Sequence, residues 1–256
     1  MPENMTWWNF LPFYQALLEW TRAKLGITWI AKVPIGIGHT MGFLFVALLV
    51  ILAGFAVHQR TRKTASALIP DGRMTLRNFF ELFSEILLGL MEPIMGRPAA
   101  IYFLPLIGTV GTIIMISNLL GLIPGFAPPT SNLNTTASMA VVIFFLTHYY
   151  GLKTQGIKYF RHFLGPIIKW YALPLMVFMF VIEVISHLTR PVSLSVRLMG
   201  NMFADHMLVA MFTLLAPLVV PIPLIAIGLL ICVIQALVFC LLSVIYISMA
   251  IAPEEH

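Results

Sequence analysis

The sequence has few charged residues and few cysteines. Only 10% of its 256 residues are charged, against about 25% in an ordinary soluble domain, while 60% are hydrophobic. The two cysteines, Cys232 and Cys240, share one apolar run with no histidine or acidic cluster beside them, which favours buried thiols over a disulfide or metal site. A chain of this composition would not stay dissolved in water, and we expect it in a membrane.

The sequence also lacks the short motifs of common enzymes. It contains no Gly-x-x-x-x-Gly-Lys loop, no His-Glu-x-x-His and no paired acidic motif of a membrane protease. We therefore predict no nucleotide chemistry, cofactor or metal on this chain. A basic signal start and a cleavage pattern are missing as well, so the first residues are expected in the mature protein.

Long apolar runs without alternation favour helices over a barrel, because a membrane span must pair its own backbone groups. We predict an all-α polytopic protein with about five membrane-embedded helices, one amphipathic surface helix, and a long, strongly tilted last pair. Residues 1–256 would form one membrane domain. Its parts are an interfacial N-terminal segment (1–37), a spanning helix (38–57), an amphipathic helix (75–95), a hairpin (101–152) and a tilted hairpin (171–251).

Length indicates that the last third is unusual. A helix over residues 171–215 would be near 70 Å long, more than twice the hydrocarbon thickness of about 30 Å. Such a segment either slants and bends, with Pro174 and Pro191 as candidate kinks, or breaks into pieces.

Basic residues cluster at Arg60 to Arg97 and at Lys153 to Lys169, whereas the turns at Pro124 to Asn134 and Pro217 to Pro223 carry none. The positive-inside rule then predicts both clusters in the cytoplasm, the N-terminus outside and the C-terminus inside. The same placement explains the net charge of +5 without a nucleic-acid partner.

Charged side chains inside the predicted tilted helix are the candidate functional groups, since one charge in mid-bilayer costs about 2.5–3.5 kcal/mol. At helical spacing a polar stripe forms, comprising Glu183, Ser186, Arg190, Ser193, Arg197 and Asn201. Glu183 and Arg190 could simply pair with each other. Arg197 is different, because Asp205 is two turns away and Glu183 is four turns away, about 21 Å along a straight helix. Its guanidinium cannot lose its proton, so it would serve as a fixed cation that keeps a carboxylate ionised.

Two segments resemble a known family, the a subunit of F-type ATP synthases. The signature helix of that family is similar to Ser186 followed by Arg190-Pro191-Val192-Ser193-Leu194-Ser195-Val196-Arg197-Leu198-Met199-Gly200-Asn201-Met202. Its last helix is similar to Ile234-Gln235-Ala236-Leu237-Val238-Phe239 with Tyr246 to Ala250. The turn from Pro124 to Asn134 also fits bacterial members, so the resemblance extends from about Ile101 to the C-terminus.

The resemblance implies a stator subunit against a rotating ring of c subunits. The arginine matching Arg197 would face the essential carboxylate of the ring and separate two aqueous half-channels. Asn201 and Gln235 match positions that line the path or hold the arginine, and Glu183 and Ser186 match the cytoplasmic half-channel. The implied setting is a bacterial inner membrane, with a b-subunit peripheral stalk and the F1 sector as further partners.

One part of the family pattern differs here. Some bacterial members carry a glutamate beyond the Asn201 motif and a histidine on the last helix, where this sequence has His206, preceded by Asp205, and Gly228. Asp205 and His206 are therefore candidates for a rearranged acid-base pair of the outer half-channel. Alternatively, His206 hydrogen-bonds a neighbouring helix. His39, His148 and His187 could likewise either lie on the proton path or hydrogen-bond a neighbouring helix.

Gln235 and Tyr246 also have simpler explanations, since a core amide can join two helices and a tyrosine can anchor at the interface. A stand-alone ion channel or secondary transporter is the main alternative function. The sequence shows no inverted repeat, which transporters often carry. An arginine without a partner is also awkward for a self-sufficient cation path.

Overall fold

The computed structural model describes residues 6–25, 37–63, 75–123, 125–156, 159, 173–215 and 221–252. Within them the chain is all-helical. Several predicted features lie partly or wholly outside these residues: part of the N-terminal segment (1–5 and 26–36), part of the first basic cluster (64–74), most of the second (157–158 and 160–172), residue 124 of the first turn and most of the last turn (216–220).

The described residues form seven α-helices. They are α1 (Pro12–Leu25), α2 (Gly38–Lys63), α3 (Leu76–Met95), α4 (Arg97–Gly121), α5 (Leu133–Gln155), α6 (Leu173–Leu215) and α7 (Pro221–Ile251). Short 3-10 turns precede α1 (Trp7–Phe10) and α5 (Pro129–Ser131). Five of the helices, α2, α4, α5, α6 and α7, are long and apolar enough to cross a membrane. The chain is a multi-pass membrane protein, as predicted.

Helix α6 continues through Pro191 without a break, which decides between the two possibilities that the sequence allows for this segment. Its 43 residues correspond to about 65 Å. Since the hydrocarbon core is about 30 Å thick, α6 must slant strongly or project beyond it.

The core lies where α3, α4, α5, α6 and α7 meet. Its side chains are large and apolar, and Leu198 of α6, Ile107 of α4 and Phe239 of α7 are essentially inaccessible. The close approach of α4 to α3 and α7 depends on a glycine. A Cβ atom on Gly111 of α4 would lie 2.5 Å from Cys240 Sγ and 3.2 Å from Phe83 Cζ.

Helix α3 is amphipathic, as predicted, and this chain itself covers part of its apolar face. Phe83, Leu87 and Met91 pack into the core against α4 and α7. The first turn departs from the helical pattern, because Leu76 is exposed while Arg77 is buried. The Nε atom of Arg77 lies 2.6 Å from Glu81 Oε1, so the buried cation is paired within its own helix.

The residues before α1 fold onto the turn between α4 and α5. The backbone N–H of Trp7 donates to the carbonyl of Gly125 at 3.2 Å, and the Trp7 and Trp8 rings pack on Phe126. Gly125 has a φ of 93°, in the left-handed region that glycine adopts at no steric cost. The aromatic start of the chain is therefore held at the end of α4.

Candidate functional site

Arg197 lies in the middle part of α6, on a face that the rest of the chain leaves uncovered. Its side chain is exposed, and the neighbouring apolar side chains of Val196 and Phe203 are 46% and 53% exposed. The opposite face of the same helix carries Leu194, Leu198 and Met202, which are buried in the core. The helical period thus directs Arg197 away from its own protein, on a narrow polar stripe with Ser193 and Asn201 that exposed apolar side chains flank.

No described residue forms an ion pair, hydrogen bond or ring contact with the Arg197 guanidinium. The expectation that Arg197 lacks a partner on its own helix therefore holds for the whole described part of the chain. A permanently charged group in an apolar membrane surface is costly unless an anion or a polar path meets it. Chemically, this position can hold a carboxylate in its ionised form.

Hydroxyl groups on the uncovered face of α6 are turned back onto their own helix. Thr189 Oγ1 donates to the carbonyl of Ser186 at 2.9 Å, and Thr213 Oγ1 donates to the carbonyl of Val209 at 2.6 Å. Such bonds occupy the donor of each hydroxyl group within its own helix. Ser193, the stripe residue one turn before Arg197, is exposed on this face as well.

Asn201 and Gln235 join α6 to α7. The Nδ2 atom of Asn201 donates to Gln235 Oε1 at 2.8 Å; Gln235 is 5% exposed, whereas Asn201 lies at the surface. The bond is one helical turn from Arg197. The amide of Gln235 therefore does join two helices, as its simpler explanation states, and it does so beside the arginine.

Asp205 packs against the last helix at a glycine. A Cβ atom on Gly228 of α7 would lie 2.7 Å from Asp205 Oδ2, 3.2 Å from Asp205 Oδ1 and 3.0 Å from Leu122 Cδ2. The half-buried carboxylate thus occupies space that a side chain at position 228 would fill. Asp205 stands at the junction of α6, α7 and the end of α4.

His206 takes a different direction from Asp205. Its imidazole lies against the backbone carbonyl of Gly121, the last residue of α4. This contact matches the alternative in which His206 hydrogen-bonds a neighbouring helix. The two candidate residues of the outer site therefore share a location but contact different elements, the carboxylate α7 and the imidazole α4.

Glu183, at the other end of the polar stripe, is half-buried and lies close to a histidine. Its Oε1 atom is 3.2 Å from Nε2 of His187, one turn further along α6. Arg190 places its guanidinium over the ring of Tyr246 on α7, 5.4 Å from the ring centroid. Ser186 is half-buried between the two on the same helix. The structure thus brings together polar groups of α6 and α7 on this side of Arg197.

Sequence reasoning missed two parts of this arrangement. The contact of Asp205 with Gly228 joins residues on separate helices, and a glycine carries no chemical signal of its own. The second is the contact between His148 of α5 and His187 of α6, whose ring centroids are 5.2 Å apart. Both depend on the register between helices, which the helical period of one segment does not specify.

The ATP synthase A chain family matches residues 41–248 of this sequence. ATP synthase subunit a of Sorangium cellulosum is 41% identical over 260 residues that cover all of both chains. Subunit a 2 of Syntrophotalea carbinolica is 41% identical over 244 residues, 94% of this chain and 97% of the relative. Subunit a of Geobacter sulfurreducens is 46% identical over 188 residues, 73% and 78% of the two chains.

Proposed function

Because the chain belongs to the ATP synthase A chain family, we propose that it is the proton-translocating stator subunit of the membrane sector, Fo, and carries two aqueous half-channels separated by Arg197. The observation that carries the proposal is Arg197 itself. It is a fixed cation on an uncovered face of α6, with no partner among the described residues. Such a group needs an anion from outside the chain, and a ring of c subunits with membrane-embedded carboxylates would supply one.

Polar residues flank Arg197 on α6 in two sets, one before it and one after it, which supports a proton path on each side. Glu183, Ser186 and Ser193 precede it, whereas Asn201, Asp205 and His206 follow it. Positions before Arg197 would form the cytoplasmic half-channel, and those after it, with Gln235, would form the outer one. A proton would enter by one path, ride the ring as a neutral carboxylic acid, and leave by the other.

The proposed role of Arg197 is electrostatic. When a protonated ring carboxyl reaches the guanidinium, the cation favours its ionised form, so the proton is released into the exit path. The same charge repels a free proton that would pass directly between the half-channels. An arginine suits this role because a guanidinium does not lose its proton in a protein and so stays charged throughout the cycle.

We further propose the bacterial inner membrane as the location, with the N-terminus outside and the C-terminus in the cytoplasm. The positive-inside distribution supports this orientation, because five crossings place both basic clusters on one side. The ring of c subunits, the b-subunit peripheral stalk and the F1 sector would be its partners. Nucleotide chemistry would then occur on other subunits.

Arg197→Ala tests the proposal in membrane vesicles that contain the whole complex. We expect ATP-driven proton pumping to fall to background while co-purification with the ring and F1 subunits continues. Arg97→Ala is the matched control, because it removes an exposed arginine at the start of α4, whose Nη1 atom is 3.9 Å from Glu92 Oε1 of α3. Normal pumping by Arg197→Ala would refute the role of the arginine. Purification of the wild-type chain without ring or F1 subunits would instead support the stand-alone channel or transporter.

A further inference from the structure

A small crevice opens between α5, α6 and α7 on the Glu183 side of Arg197. Two histidines and an arginine line it together with aromatic and aliphatic side chains: His148, His187, Arg190, Thr147, Phe144 and Tyr246. His148 comes from α5, near the basic end of that helix, where Lys153 follows. The crevice therefore places two imidazoles between the basic end of α5 and the polar stripe of α6.

His187 connects this crevice to Glu183. The imidazole is buried, at 8% exposure, and its Nε2 atom is 3.2 Å from Glu183 Oε1. This is the distance of an ion pair when the imidazole is protonated, but the two groups are not aligned as a hydrogen bond, so proton transfer requires a rotation of one side chain. His187 points inward from α6, so it meets the crevice while Glu183 remains half-buried on the polar stripe.

His148 is held in a fixed orientation. Its Nδ1 atom is 2.9 Å from the carbonyl oxygen of Phe144, and the Phe144 ring lies 4.2 Å from the imidazole centroid. A carbonyl accepts only, so Nδ1 carries the proton and donates it, which leaves Nε2 as the acceptor in the neutral ring. With its centroid 5.2 Å from that of His187, His148 is placed to exchange protons with His187 directly or through one water.

The titratable and charged groups around the two imidazoles come from every neighbouring element. They are Glu183 and Arg190 on α6, Tyr246 on α7, and Tyr159 after α5, whose ring is 5.9 Å from that of His148. Burial raises the pKa of the Tyr159 phenol, Arg190 acts in the opposite direction, and Glu183 adds to the rise. The charges of Arg190 and Glu183 on α6 thus act on Tyr159, which lies beside His148.

We propose that His148 and His187 are proton-relay residues of the cytoplasmic half-channel, passing protons between the cytoplasmic surface and Glu183. The inference rests on the proposed function and deepens it. In one direction, protonated His187 gives its Nε2 proton to Glu183 Oε1, leaving a neutral imidazole and a neutral carboxylic acid. His148 takes up a proton on Nε2 from the cytoplasmic side and passes it to the now unprotonated Nε2 of His187, which restores the protonated His187 and leaves His148 neutral; the reverse sequence releases protons to the cytoplasm.

The chemistry of imidazole explains why this position benefits from histidine. An imidazole gains and loses a proton readily near neutral pH, and in this pair the exchanges use Nε2, because Nδ1 of His148 is held by the Phe144 carbonyl. A carboxylate alone, with an ordinary pKa of about 4.3, is seldom protonated from a neutral bath. The pair would therefore sustain proton uptake where protons are scarce.

His187→Gln and His148→Gln test the relay in inverted vesicles of the assembled complex, where the bath faces the cytoplasmic side. Glutamine keeps polarity and approximate size but cannot titrate. We expect ATP-driven pumping to slow by about tenfold or more at bath pH 8, in keeping with the loss of a positioned proton carrier. The slowing should diminish as the bath is acidified. Millimolar imidazole in the bath should restore much of the rate in the variants and leave the wild type unchanged.

His58→Gln is the matched control, because it removes an exposed histidine near the end of α2, outside the crevice. Wild-type rates and pH profiles in both relay variants would overturn the inference, while an inactive Arg197→Ala variant would leave the proposed function standing. Slow pumping with an unchanged pH profile and no response to imidazole would also overturn it, since that pattern indicates structural damage. Pumping by Arg197→Ala would instead refute the proposed function itself.

Discussion

Asp205 of α6 and Gly228 of α7 are complementary in space. The carboxylate oxygens of Asp205 come within 2.7 and 3.2 Å of the point where a Cβ atom on Gly228 would stand. The carboxylate of Asp205 therefore occupies the space that the absence of a side chain at Gly228 leaves open. In the proposed outer half-channel, the glycine allows the carboxylate to lie between the two helices rather than on the surface.

Gly228→Ala should disturb this site specifically. The added methyl group would displace the Asp205 carboxylate and press on Leu122, whose Cδ2 atom would be 3.0 Å away. We expect ATP-driven pumping in vesicles to fall by about a hundredfold, the low end of what one misplaced proton carrier costs. Gly54→Ala on α2, where a Cβ atom meets nothing within 4 Å, is the control and should pump normally. Equal rates in both variants would mean that the position of Asp205 is unimportant.

Asn201 and Gln235 should behave as one unit in a double-mutant cycle. Each variant, Asn201→Ala or Gln235→Ala, removes the same 2.8 Å hydrogen bond beside Arg197, so the combined loss should be less than the sum. Interhelical bonds of this kind in membranes contribute about 0.6 kcal/mol on average. The measurement is the pumping rate of the four proteins, converted to free energies. Strict additivity would show that the two amides act separately.

Gly111→Ala should destabilise the helix bundle through overpacking. Its Cβ atom would lie 2.5 Å from Cys240 Sγ, and one excess methyl group in a packed core costs about 1–3 kcal/mol. We expect a lower thermal midpoint for the purified complex. Adding Cys240→Ala, which removes the sulfur, should recover part of the loss. Gly89→Ala on α3 meets nothing within 4 Å and serves as the control.

Gly125→Ala should release the N-terminal segment. Both Gly125 and Gly156 have positive φ angles, of 93° and 61°, so alanine at either costs about 1–2 kcal/mol of backbone strain. Only at Gly125 would the methyl group also collide with the Trp7 ring, since nothing lies within 4 Å at Gly156. Limited proteolysis should cleave the N-terminal segment faster in Gly125→Ala than in Gly156→Ala. Equal cleavage would assign the effect to strain alone.

The parts of the fold that the sequence predicts are those that depend on one helix at a time. Apolar length identifies the five spans, and the helical period places Arg197 on a face of its own. The same logic fails at the start of α3, where Leu76 is exposed and Arg77 is buried, because the Arg77 charge is neutralised by Glu81 one turn on.

The parts that the sequence does not predict depend on register between helices. The Asn201 bond to Gln235 and the contact of His148 with His187 each join two helices whose relative rotation and height are set by packing across the whole core. The proposed site residues form a list in the sequence. Their grouping around Glu183 and around Asp205 emerges only from the assembled bundle.

The inward-turned hydroxyls on the uncovered face of α6 have a mechanical consequence. Thr189 and Thr213 donate their hydroxyl protons to their own backbone, and exposed apolar side chains such as Val196 and Phe203 flank the narrow stripe that carries Arg197. A partner moving across this surface would meet few bonds that must break at each step. A ring turning against α6 would therefore experience low friction. The charge of Arg197 would attract each ring carboxylate in turn and so define one preferred position per step.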